Sequence, residues 1–114
     1  MKNEVSSVFV TYPDERTARA ISRSLIELRL AACSNIFAVS SIYRWKGEIE
    51  EATEFASILK IRSQDFYNVV KTIKQLHPYD VPCIVRYDVA EGSVDYLSWV
   101  IGSTGSSPTA EHPR

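Results

Sequence analysis

Glycine is scarce in this chain, and its four copies, Gly47, Gly92, Gly102 and Gly105, never cluster within the body of the sequence. A glycine-rich loop that cradles phosphate is therefore absent. Cysteine is scarcer still. Cys33 and Cys83 alone do not make the disulfide framework of a small secreted domain, so free thiols in a reducing compartment are expected. They fall outside any C-x-x-C spacing, and a closed zinc site within one chain would need two more ligands from His77, His112 or carboxylates. Excess charge of one sign is also missing: 13 Lys plus Arg against 14 Asp plus Glu leave a net −1, which implies no bulk attraction to nucleic acid or an anionic membrane. No apolar run approaches the ~20 residues that span a bilayer. The start, MKNEVSSVFV, lacks the layout of a signal peptide, and the cytoplasm is the expected location.

Proline and glycine are missing from two further stretches, and there the absence is structural. Neither Cys33 to Trp45 nor Glu48 to Arg62 contains either residue, and between them lies Lys46-Gly47. The pattern predicts a β-hairpin with unusually long arms, since strands commonly hold ~5 or 6 residues. In the second arm Ile49, Phe55, Leu59 and Ile61 share one parity, and Glu48, Glu50, Glu54 and Lys60 the other, so one face packs and the other is largely polar. Every other strand candidate is shorter. The overhang would leave unpaired backbone groups and exposed Tyr43 and Trp45, which partner subunits are expected to cover. At the tip, Arg44, Lys46, Glu48, Glu50 and Glu51 are read as cross-strand ion pairs in preference to a hard-cation site.

The remaining elements follow from periodicity. Val5 to Thr11 reads as a strand. Pro13 suits a first helical turn, Asp14 and Glu15 suit a helix N-terminus, and Ala18, Ile21, Leu25 and Leu28 mark one helical face to about Arg29. Arg16, Arg19, Arg23, Glu27 and Arg29 form its solvated side. Ser63 is the expected N-cap of a second helix carrying Phe66, Val70, Ile73 and Leu76 or His77, which Pro78 ends. Val81-Pro82 forces an extended link. Cys83 to Val89 reads as the last strand, and Val94, Leu97, Trp99, Val100 and Ile101 as a short C-terminal helix. Residues 102–114 are rich in Gly, Ser and Pro and are expected to be a disordered tail after a single domain over 1–101. The order βα, long ββ, αβ, with a strand opening at Cys33 in one half and at Cys83 in the other, predicts an α+β, ferredoxin-like βαββαβ sandwich.

Chemistry-bearing residues are few. A soft thiolate at Cys33 and an imidazole at His77, each at a helix-to-strand junction, would suit copper or zinc if folding or assembly brought them together. Each also has a plainer reading, Cys33 as a small core residue and His77 as a helix C-terminal cap. Cys33 as nucleophile with His77 as base lacks an orienting third residue and an oxyanion motif, so no catalytic residue is assigned and no enzyme is expected. An RNA-recognition motif shares the element order, but its basic-glycine-aromatic signature is replaced here by Phe55-Ala56-Ser57-Ile58-Leu59-Lys60-Ile61.

Taken together, Thr11 with Pro13-Asp14-Glu15, Leu30-Ala31-Ala32-Cys33, Ser41-x-Tyr43-x-Trp45-x-Gly47, Glu50, Glu54, Lys60, His77-Pro78-Tyr79, Pro82 and Asp95-Tyr96-Leu97-x-Trp99 resemble the CutA divalent-cation-tolerance family over residues 5 to 101. The resemblance implies a tight homotrimer with long strands pairing between subunits, a role in tolerance to copper and other divalent cations, and no established enzymatic activity. It makes Trp45, Glu54, Lys60 and Tyr79, with His77, candidates for a shared pocket near subunit contacts. It makes Cys33 the match to a cysteine implicated in copper binding. Other thiols proposed as copper ligands correspond here to Val10 and Thr72, so the implied metal site uses fewer thiols, with imidazole or carboxylate in their place. The alternative is a non-catalytic trimeric scaffold or small-ligand sensor using intersubunit clefts.

Overall fold

A computed structural model describes residues 4–105. The elements are β1 (Val5–Tyr12), α1 (Glu15–Glu27), β2 (Cys33–Trp45), β3 (Glu48–Arg62), a 3-10 turn (Ser63–Asp65), α2 (Phe66–Leu76), β4 (Ile84–Asp88) and α3 (Val94–Gly102). One antiparallel sheet in the order β2-β3-β1-β4 carries α1 and α2 on one face, the ferredoxin-like arrangement.

Strand alternation assigns the faces. Val8, Val10 and Tyr12 of β1 and Leu59 and Ile61 of β3 point to the helices and meet Ala18, Ile21, Leu25, Val69 and Ile73 in the main core. The opposite face is less polar than the charges on β3 suggest. Between Glu54 and Lys60 it carries Ala56 and Ile58, whose cross-strand neighbours include Phe9, Phe37 and Asn35. α3 covers one end of this face, packing Trp99 and Val100 against Val5 with Cys33 and Tyr96 alongside. The rest stays open, with Phe37, Val85 and Tyr87 exposed.

The hairpin arms run 13 and 15 residues. Of β3, β1 pairs only with Phe55–Arg62, so Glu48–Glu54 has β2 on one side and, among the described residues, no strand on the other. This two-stranded ribbon draws the molecule out to 47 × 26 × 25 Å and leaves Ile42, Tyr43, Trp45 and Ile49 exposed. Lys46 and Gly47 close it with φ of 50° and 82°, both left-handed as a tight I′ turn requires.

Several local expectations change. Asp14, and not the first helical turn, follows Pro13 as the N-cap, its carboxylate accepting from Thr17 N–H at 2.8 Å. α1 ends at Glu27 because the chain turns at Arg29, whose φ is 60°. Ser63 is no helix cap: its hydroxyl bonds Ser6 Oγ at 2.6 Å, and α2 starts only after the 3-10 turn. Cys83 precedes β4. No ion pair forms between the arms at the hairpin tip among the described residues, because the register sets Arg44 opposite Ile49, and Glu48 and Glu50 opposite Trp45 and Tyr43. Lys46 lies over the Trp45 ring instead, at 5.7 Å. Ordered structure also runs past 101, the boundary set by composition. Gly102 ends α3, Thr104 is buried, and Gly105 N–H donates to Arg29 O while Arg29 Nε donates back to Gly105 O. The rest of the expected tail, 106–114, lies outside the described residues.

Candidate functional site

The site forms where β1 stops and the hairpin runs on. Glu54 is the first β3 residue past the end of β1, which pairs Tyr12 with Phe55. The chain after α2 folds back to this point. His77 caps that helix, its N–H donating to Ile73 O at 2.8 Å, and its ring stacks on Tyr12 at 5.4 Å and 17°. His77 Nε2 lies 2.8 Å from Thr11 O, and Tyr79 N–H donates to Nδ1 at 3.1 Å. A carbonyl only accepts, so Nε2 carries the proton and Nδ1 is the bare acceptor. The imidazole is neutral and both nitrogens are engaged.

That clamp aims Tyr79. Its hydroxyl donates to Glu54 Oε2 at 2.7 Å, and its ring lies 4.9 Å from the His77 ring. Burial, and then the Glu54 carboxylate, push the phenol well above its ordinary pKa, so it remains a donor at neutral pH. Glu54 is 9 % exposed. Its charge reaches Cys83, whose thiol is pushed up first by burial and then by this carboxylate.

A second constellation lies at the far end of β3. Cys33 Sγ is 3.1 Å from Tyr96 OH on α3, and Cys33 stands opposite Lys60 in the ladder. Burial and the Cys33 contact push the Tyr96 phenol up to about 12.

The sequence candidates thus separate into three places. Glu54, His77 and Tyr79 come together; Cys33 and Lys60 come together; Trp45 stands apart at the exposed tip. Lys60 opposes Ser7 on β1, four residues before Thr11, which puts Cys33 and His77 roughly 13 Å apart along the sheet at ~3.3 Å per residue. No group of three or more His, Cys, Asp and Glu side chains suited to a metal occurs among the described residues, and His112 lies outside them. Sequence reasoning missed the roles of Tyr12, of the Thr11 carbonyl and of Tyr96. Aromatic periodicity signals Tyr12 and Tyr96 as packing residues, but pairing with His77 and Cys33 needs the tertiary fold.

Residues 6–103 match the CutA1 divalent ion tolerance protein family. The divalent-cation tolerance protein CutA of Thermus thermophilus is 44 % identical over 99 residues, covering 86 % of this chain and 96 % of that protein. The solved structure of the periplasmic divalent cation tolerance protein CutA from Archaeoglobus fulgidus superposes with a TM-score of 0.86 at 38 % identity, over 87 % of this chain and 97 % of that one. CutA1 from a psychrotrophic Shewanella superposes at 0.88 with 33 % identity, over 93 % of this chain and 100 % of that one.

Proposed function

The chain belongs to the CutA1 divalent ion tolerance protein family, and on that premise we propose that it acts as a non-catalytic homotrimer in tolerance of, or response to, divalent cations, copper among them. The observation that carries this reading is the unsupported hairpin ribbon beside an apolar sheet face. Ile42, Tyr43, Trp45 and Ile49 on the ribbon, with Phe37, Val85 and Tyr87 on the open sheet face, are exposed in a single chain. Other copies would bury them and pair the free strand edge. The free thiols favour a reducing compartment, the cytoplasm.

Cys33 is the proposed soft ligand, with Tyr96 OH beside it. His77 fits a metal less well than sequence alone suggests, since ligation through Nδ1 requires release of the Tyr79 amide and ligation through Nε2 requires release of Thr11. One chain gathers no three-ligand group among its described residues, so a three-ligand site here needs a donor from beyond them, which a neighbouring copy could supply. The buried Glu54 with its phenol donor supports a second reading, a trimeric scaffold or sensor whose clefts take a small non-metal ligand.

Calorimetric titration of Cu(II), Cu(I) and Zn(II) into the wild type, Cys33→Ser and His77→Ala separates these readings. The metal reading expects Cys33→Ser to weaken copper binding at least tenfold and His77→Ala to weaken it less. A wild type that binds no tighter than either variant defeats it.

A further inference from the structure

We propose that Lys60 of one copy pairs with Glu54 of the next, so that the Glu54, Tyr79 and His77 cluster is completed across the subunit boundary. The inference rests on the trimer reading above and deepens it by naming the ionic contact that sets how the copies meet.

Lys60 and Glu54 share one face of β3 by strand alternation, the face away from α1 and α2. Six residues separate them, roughly 20 Å along a strand. They cannot meet within one chain.

Each is incompletely compensated where it stands. Glu54 is 9 % exposed, and its hydrogen bond comes from the neutral Tyr79 hydroxyl at Oε2. Lys60 is half-buried, with no hydrogen bond or ion pair among the described residues; its cross-strand neighbours, Cys33 and Ser7, bear no carboxylate. Arg62, the other β3 cation on this face, is already bound to Asp65 at 3.0 Å.

Between the two charges the face carries Ala56, Ile58, Phe9 and Phe37 and no further charge, only Thr11 and Asn35 being polar. A second copy laid over this surface strips water from both groups. An ion buried without a partner is strongly penalised, whereas an opposed pair loses much less and penalises misregistered docking. A heterologous contact that closes on itself repeats one Lys60 to Glu54 pair at every interface. Glu48 and Glu50 share the parity of Glu54 but lie exposed on the ribbon, so Glu54 is the carboxylate already held in place.

The test begins with the mass of the wild type by analytical ultracentrifugation at micromolar concentration. A monomer defeats the trimer reading, and this inference with it. With a trimer in hand, the pair is judged separately through Glu54→Lys, Lys60→Glu and the double exchange. Each single reversal is expected to weaken assembly at least tenfold, and the double exchange to restore it to within about threefold of wild type. Singles that assemble like wild type, or a double exchange as weak as the singles, overturn the pair while leaving the trimer standing.

A second measurement needs no variant. A mixed trimer of 14N- and 15N-labelled chains is treated with a carbodiimide, which joins the Lys60 amine and the Glu54 carboxyl as an amide with loss of water. Mass spectrometry is expected to find that peptide pair with mixed label. Lys60 joined to Glu48 or Glu50 instead, pairs of single label alone, or no Lys60 product overturns the proposal.

Discussion

His77 donates from Nε2 to Thr11 and accepts at Nδ1 from Tyr79, so truncating it releases two backbone groups and the phenol that Tyr79 holds on Glu54. His77→Ala is expected to cost about 1–3 kcal/mol in urea unfolding, the range for stranding buried polar groups. The Tyr79 amide resonance should shift with it. Tyr12, beneath the same ring, is fully buried with its hydroxyl 2.6 Å from Ser57 Oγ. Tyr12→Phe strands that serine and should cost about 1–2 kcal/mol by the same measurement. Asp14 gives a pH-dependent case. Its hydrogen bonds with Thr17 lower its pKa below the ordinary 3.8. The capping contribution is therefore complete above 3.8 and disappears as pH falls through the lowered folded value. Asp14→Ala should lower the thermal midpoint at pH 7, and the gap from wild type should close in strong acid. His77 could be read from sequence as a helix-ending residue. Its tautomer could not, because Thr11 is 66 residues away along the chain.

Among the elements, the hairpin was the most legible. Thirteen and fifteen residues without a Pro or Gly left nothing to break either arm, and the Lys46-Gly47 step marked the reversal. Gly47 sits at φ 82° with open space around it, so Gly47→Ala meets backbone strain and no clash. It should cost about 1 kcal/mol, near the low end for an alanine held in the left-handed region, and proton NMR should show the loss as fraying confined to the ribbon. Boundaries fared worse where a side chain found a distant partner. Ser63 looks like a cap in sequence, yet Ser6 of β1 claims its hydroxyl. The stretch after Ile101 looks like tail, yet Arg29 holds Gly105 at both its N–H and its carbonyl.

For the whole molecule, the open sheet face is the surface that the proposed trimer would cover. Phe37 lies on that face and is 39 % exposed in one chain, so a charge placed there leaves the main core untouched. Phe37→Asp is expected to keep native circular dichroism but sediment as the 12.9 kDa chain, where the proposed trimer would sediment at three times that mass. A charged variant that still assembles at micromolar concentration would remove this face from the interface. The β3 parity marked Glu54 and Lys60 as sharing a surface, and that surface is less polar than those charges suggest. Ala56 and Ile58 lie between the charges, Phe37 joins them across the hairpin, and Phe9 comes from β1, whose pairing with β3 the sequence does not state.

Short-range physics is written in the sequence: the strand and helix periods, the long breaker-free arms, the turn at Lys46-Gly47 and the βαββαβ order all depend on residues a few positions apart. The register of β1 on β3 was decided by tertiary structure, because it sums packing over residues about fifty positions apart. Tertiary packing drew Glu54, His77 and Tyr79 into one cluster and set Tyr96 beside Cys33, while the hairpin's own register placed Cys33 opposite Lys60 and kept Trp45 at the exposed tip. The ribbon first signalled by its length is thus fixed at one end to the sheet, and Glu54 stands at the junction.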